Sequence, residues 1–414
     1  MRRGHSVLVL EREGRPGGRL HDEVWEGARI ALGAEFATRS YTRLMAYLDE
    51  LGLAGRLEPA AEGSLGAVRR DGAWHHVDYS SLPSAVRFSG IGWLDRLSLA
   101  TGMAGLLPWA GALDLGDLTR TPRLATRAVT SVFTGAAARF LLCPPYEILL
   151  GCRQEELSMA VLAVGVLQRS RPLTLPDGMS ALALALAARC EMSCGVAVTR
   201  VDARGREVLV ETDGPHAYRP RAAILATTAP EAARLWHGAP SETSDFLVSV
   251  PYARTDWAYL RTDRPYAPRD PRGRPLTMQL IPPGARRGRD ILGYLGFMRH
   301  RAASGGLLLA GAGPGAGGDR LDDEALGDVL QSEVEAMHPD LEGAITARRL
   351  VRFDRYVPIF SPAHVPRLRE FRRRLGPGPV DVAGDYLNAP WMEGALRAGE
   401  AAADRVGRFL TTTP

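Results

Sequence analysis

The chain contains no lysine; each of its 51 strongly basic residues is arginine. Without lysine there is no Schiff base, no phosphate-loop lysine of a P-loop nucleotide site and no catalytic ammonium. Cysteine is scarce. Only Cys190 and Cys194 of the four are close in sequence, and no histidine lies near them. A zinc site or disulfide framework is therefore not expected, and a reducing, cytoplasmic setting is. The nine histidines show no metal-ligand spacing, so no metal is expected. No apolar run approaches the length of about 18 residues that a membrane-spanning helix needs. The nearest, residues 91–111, is interrupted by Asp95 and Arg96. The apolar stretch at the N-terminus is too short and too soon followed by charge to read as a signal peptide. The longest basic run is Arg372-Arg373-Arg374, and the net charge is only +4, which gives no support to nucleic-acid binding. Internal repeats are absent.

What remains is an ordinary globular composition, 45% hydrophobic and 24% charged, over 414 residues, a length that suits two domains. Ser6 to Leu10 form a continuous apolar strand closed by Glu11. An acid at the end of a buried strand is how dinucleotide-binding folds grip a ribose diol. Gly17-Gly18-Arg19 follows. Near the other end, the strand Val380 to Ala383 runs into Gly384-Asp385, a turn broken by Pro390, and a helix opening near Glu393. Gly394, Ala395, Ala398, Gly399 and Ala402 fall on that helix at i, i+3 and i+4 spacings. Small residues there let a sheet or ligand approach the backbone. The positive end of the helix suits an electron-rich group.

The block 381–403 resembles the C-terminal flavin-binding signature of the FAD-dependent amine oxidase superfamily, which includes protoporphyrinogen oxidase, carotenoid desaturases and monoamine oxidase. Gly17-Gly18-Arg19 resembles the superfamily's GG-Arg element, and Leu32-Gly33-Ala34-Glu35-Phe36 its glycine turn beside the isoalloxazine. In that turn Ala31 stands where relatives carry aspartate. The resemblance implies that Arg19 reaches the cofactor phosphates, Glu11 the ribose and the Val198 backbone the adenine. It places Gly17, Gly18, Gly33, Ala34, Glu35, Phe36, Gly384, Asp385, Trp391, Met392, Glu393 and Ala395 against FAD. It puts Tyr356, Phe360 and Trp391 at a substrate cavity; no catalytic residue is assigned. With no cysteine in residues 361–390, FAD is expected to bind non-covalently. The lysine that many amine oxidases keep near the flavin is missing, so a larger apolar substrate is favoured over a simple primary amine.

The expected fold is α/β: a discontinuous Rossmann-like FAD-binding domain (residues 1–60, 174–240 and 360–414) and an α+β substrate domain of antiparallel sheet and helices (61–173 and 241–359). The first strand and glycine-rich turn of a dinucleotide unit are not seen. They would lie upstream of Met1, roughly 25 residues in all, so the domain is expected to be N-terminally truncated. Gly313 to Gly318 formally matches that turn, but Asp319, Asp322, Asp323 and Glu324 follow, and four carboxylates would repel a pyrophosphate. Helices are expected over 41–57, 322–337 and, long and apolar, through 83–170. A hairpin is expected at 66–78, and strands at 196–201, 207–212 and 222–226. The function implied is an FAD-dependent oxidoreductase that passes a hydride from a C–H bond of a largely apolar small molecule to flavin N5. Two alternatives stay open: a flavin-less relative acting as a binding or non-redox protein, and a flavin-dependent isomerase or cyclase. Contact with a membrane surface is also left open.

Overall fold

The computed structural model describes residues 4–60, 63–168, 170–204, 207–285, 290–298 and 305–412. Its largest element is a seven-stranded sheet. In spatial order the strands are Ile345–Phe353, Thr255–Thr262, Gly306–Ala312, Leu292–Phe297, Met278–Leu280, Leu65–Arg70 and Ala73–Asp78. All pairings are antiparallel except that of Met278–Leu280 with Leu65–Arg70. The last hairpin closes through Asp71-Gly72, both at positive φ (51° and 83°), the turn that matches strand twist. On one face lies the helix Asp323–Met337, which buries Leu326, Leu330 and Val334 at i, i+4 and i+8. Asp322 caps it, accepting the Ala325 N–H at 2.8 Å. The glycine-rich segment 313–318 is thus a turn of this sheet, with Gly315 and Gly317 at positive φ, and its carboxylates serve the following helix.

The cofactor-type strands lie elsewhere. Leu8–Glu11 pairs in parallel with Glu191–Cys194, and Ala223–Leu225 pairs in parallel with Val380–Val382. Among the described residues these two pairs are separate sheets. Leu8 and Ile224 are exposed at 38% and 39%, which leaves apolar strand surface uncovered in each pair. Val198–Arg204 and Glu207–Thr212 form an antiparallel ladder, and Val198–Arg204 also pairs in parallel with the short strand Trp236–His237; of the three strands expected in 196–226, only the third pairs with the strand that leads into the C-terminal helix.

The expected long helices of 83–170 are in fact short: Leu82–Val86, Trp93–Ala104, Pro122–Ala125, Pro144–Leu150 and Met159–Leu167, linked by tight turns. Prolines at the starts of several of them, and glycines between, chop the apolar periodicity. The expected helix over 41–57 likewise stops at Glu50, because Gly52 turns at φ 71°. Met159–Leu167 is apolar all round and is buried from Met159 to Val164 in the main core.

Candidate functional site

The site lies where the parallel strands end. After Glu11 the chain turns back, the Glu13 N–H donating to Glu11 Oε1 at 2.9 Å. Val196 N–H donates to the Glu11 carbonyl at 2.9 Å, which sets Val198 close by at the start of its own strand. The loop then passes Gly17 and Gly18, at φ 110° and 52°. A Cβ on Gly17 would lie 2.6 Å from the Leu20 carbonyl oxygen, so glycine is required sterically as well as conformationally. This turn delivers Arg19.

Arg19 joins the distant segments. Its guanidinium pairs with Asp385 at 2.8 Å and donates to the Tyr356 carbonyl. Its own carbonyl accepts the Ala34 N–H at 2.8 Å. A Cβ on Gly33 would sit 1.9 Å from that same oxygen, so the backbones of 19 and 33 can cross only at glycine. Burial acts to lower the Arg19 pKa, but the charge and hydrogen bond of Asp385 outweigh it, and the group stays a firm cation. Gly17, Gly18, Arg19, Gly33, Ala34, Gly384, Asp385 and Tyr356 are thereby brought together.

Around them stand groups that sequence reasoning missed. Tyr252 lies against Asp385, Arg19 and Arg355, and its hydroxyl accepts the Ala229 N–H at 3.0 Å. Arg355 reaches the Thr228 hydroxyl at 3.5 Å, at the start of the helix Ala229–Leu235. The Glu231 carboxyl in that helix is held below its usual range first by a hydrogen bond from Arg234, with Arg12 and Arg355 adding their charge. Arg12, Arg19 and Arg355 thus lie toward the ends of strands 8–11 and 223–225, interleaved with the carboxylates of Glu13, Asp385 and Glu231. The strand Ala223–Leu225 followed by Thr228 and a proline-opened helix was the available signal. Asp22 was missed too; it accepts the Ser180 N–H at 2.9 Å and so starts the helix Ser180–Ala187.

The helix Met392–Thr412 divides its small residues between two faces rather than presenting them on one. Gly394, Ala398 and Ala402 are buried, and a Cβ on Gly394 would meet the Ala389 carbonyl oxygen at 2.2 Å. Ala395 and Gly399 face the open side; Ala395 is exposed, and a Cβ on Gly399 meets nothing within 4 Å. Glu393 is fully buried, 0% exposed. Its carboxylate accepts the N–H groups of Arg43 and Leu44 at 3.1 and 3.0 Å and pairs with Arg397 at 2.8 Å. It therefore caps the helix Thr42–Glu50, and any cofactor contact at 393 falls to its backbone. The Trp391 indole N–H donates to the Leu115 carbonyl.

Tyr356 and Phe360 do not share a wall. Tyr356 packs edge-on against Trp257 at 5.6 Å, and burial first, then the Glu35 charge, pushes its phenol up to about 12. Glu35 thus faces Tyr356, while its carbonyl accepts the Thr174 hydroxyl at 3.0 Å; Phe36 follows it, half-buried. Phe360 instead lines a narrow apolar cavity with Leu150, Cys152, Leu157, Val161 and Pro390. Among the described residues no group of histidine, cysteine and carboxylate side chains could hold a metal ion.

The family model for flavin containing amine oxidoreductases matches residues 1–407. The chain belongs to that family. It is an FAD-dependent oxidoreductase, as the sequence resemblance implied. Solved structures share this family member's fold. Cyclohexylamine oxidase from Brevibacterium oxydans IH-35A superposes with a TM-score of 0.75 at 16% identity, covering 99% of this chain and 95% of its own. A putative protoporphyrinogen oxidase from Exiguobacterium sp. 255-15 gives 0.70 at 15%, covering 98% and 93%. A fatty acid isomerase from P. acnes, described as producing CLA, gives 0.67 at 14%, covering 97% and 92%. No curated protein matches the chain. No helix among the described residues is long and apolar enough to cross a membrane.

Proposed function

We propose that this family member holds FAD non-covalently at the ends of its parallel strands and oxidises a C–H bond of a largely apolar small molecule, beside nitrogen or along an unsaturated skeleton. The observation that carries the reading is the convergence on Arg19: Gly17, Gly33 and Asp385 are held about it by contacts that tolerate no side chain at either glycine. In the proposal Glu11 takes the adenosine ribose, the backbone near Val198 the adenine, and Arg19 with Arg355 the pyrophosphate. The FAD-binding part is drawn from residues 1–60, 174–240 and 360–414, the substrate part from 61–173 and 241–359.

The residues fit a flavin. Two glycine cradles, the arginines Arg19 and Arg355 close by, and an open small-residue face on the helix Met392–Thr412 suit a dinucleotide with a planar ring. The first intrahelical bond there is Ala395 N–H to the Trp391 carbonyl, at 3.1 Å. The preceding N–H groups of Met392, Glu393 and Gly394 thus have no intrahelical acceptor, and with the helix dipole they would face the ring's electron-rich edge. Bound flavin supplies the hydride acceptor. The chain's own part is to orient the ring and exclude water through the apolar residues about Trp257 and Tyr356. Tyr356, pushed up to about 12, stays neutral at physiological pH and can donate a hydrogen bond.

Heat-denatured protein should release FAD rather than FMN. Folded protein that neither contains FAD nor melts higher when FAD is added refutes the proposal. A flavin-dependent isomerase is the second reading, favoured by the fold shared with the fatty acid isomerase. Product formed with no net consumption of an electron acceptor would select it.

A further inference from the structure

The helix Trp93–Ala104 is apolar on two sides: Leu99 is buried and Met103 packs against the main core, while a second apolar face turns outward. Its outward positions are Trp93, Leu94, Leu97, Ala100, Thr101 and Ala104, one continuous stripe at helical spacing, with Trp93 exposed at 72%. Its charges point inward. Asp95 caps the Gly92 N–H at 2.9 Å and accepts the Thr134 hydroxyl at 2.5 Å. Arg96 donates to the carbonyls of Val86, Phe88 and Ile91. The inner face is fixed at Gly102, where a Cβ would run into the Phe133 ring. Arg96 also ties on the short helix Leu82–Val86, whose Leu82, Pro83 and Val86 are exposed, and Leu107 and Pro108 extend the surface at the other end. The one hydroxyl on the stripe, Thr101, is satisfied within the helix by the Leu97 carbonyl at 3.0 Å.

We propose that this face docks on the surface of an anionic lipid bilayer, with the helix lying in the interface plane. A helix with an apolar outer face, a tryptophan at its end and a cationic surround is built for that position. The charge supports it. Between residues 82 and 131 the exposed charged residues are Arg87, Arg120, Arg123 and Arg127, while Asp95, Asp114 and Asp117 are half-buried. Asp114 pairs with Arg397 and Arg120, and Asp117 with Arg372. A second copy on the same face would set these arginines against their own counterparts, since a two-fold contact is self-complementary. Beside the stripe, Thr101, Gly105, Leu106, Trp109, Arg123 and Arg127 line an open surface groove of about 650 Å³, which sets Arg123 and Arg127 next to the apolar face. The inference is independent of the FAD reading.

The test is flotation of the purified chain with vesicles of phosphatidylglycerol and phosphatidylcholine, against phosphatidylcholine alone. The protein should float with the anionic vesicles and be released by salt. Leu94→Glu with Leu97→Glu should lower binding more than tenfold while leaving the thermal melt unchanged, since both side chains are exposed. Arg123→Gln should lower anionic-vesicle binding on the order of fivefold. Wild-type protein that stays unbound, or a double variant that floats equally well, overturns the proposal. So does a dimer in light scattering that the double variant converts to monomer, because a second copy would then cover the face.

Discussion

The helix Met392–Thr412 offers a comparison between two neighbouring alanines. Ala395 lies on its open side; Ala398, one turn on, is 1% exposed in the main core. Substituting each by leucine adds the same atoms to the same helix. At 395 the added side chain meets no protein, and helix propensity separates the two residues by only a few tenths of a kcal/mol, so the fold should be unaffected. At 398 the same atoms must enter a close-packed face shared with Gly394 and Ala402, an overpacking that costs about 1–3 kcal/mol or more. If the open face abuts the flavin ring, the consequences for cofactor reverse. Ala395→Leu places its branch where the ring must lie, and should raise the FAD dissociation constant at least tenfold, about 1.4 kcal/mol. The assay pairs the melting temperature of flavin-free protein with flavin content from the visible absorbance. The expected pattern is an unchanged melt with lost flavin for Ala395→Leu, and a lowered melt for Ala398→Leu. Ala395→Leu protein that keeps wild-type flavin content would show that the open face does not meet the cofactor, and the assignment of this helix would fail.

Glu11→Ala should weaken FAD binding by about 1.5–3 kcal/mol, the size of a charge-assisted hydrogen bond. It should leave the rate of flavin bleaching by substrate in anaerobic stopped flow unchanged, because a ribose contact is equal in ground and transition states. Acid should destabilise the fold through two buried histidines. Burial pushes His338, held between the Tyr266 hydroxyl and Gln279, and His364, stacked on Phe246, down from 6.5 to about 4. The unfolded chain binds these protons first, so their stabilisation is complete above pH 6.5 and is lost as pH falls toward 4, by up to about 3 kcal/mol for each. Denaturant midpoints across that window should fall, and His364→Leu should flatten the fall; an unchanged slope would mean that His364 is protonated in the fold.

The parts of the site that could be read in the sequence are those whose reason is local. Gly17 and Gly33 are glycines because the backbone at those points leaves no room for a Cβ, and such sterics mark the sequence with a short motif whatever lies elsewhere. The order of strand, acid and glycine pair carries the same kind of information. Glu393 could not be read in this way. Its meaning is fixed by the N–H groups of Arg43 and Leu44, some 350 residues distant, and nothing in the residues around it distinguishes a helix-capping carboxylate from a cofactor contact. Arg355 and Tyr252 were hidden for the same reason. The helix Trp93–Ala104 shows a different blind spot. Apolar period gives the width of a stripe but not the direction in which it faces, and a helix whose apolar side turns outward has the same spacing as one whose apolar side turns in. Here the deciding facts are the inward hydrogen bonds of Asp95 and Arg96 and the Phe133 ring against Gly102. The same pair of charges that interrupts the apolar run and argues against a membrane span thereby holds the stripe of Trp93, Leu94 and Leu97 outward, while Leu99 and Met103 pack inward.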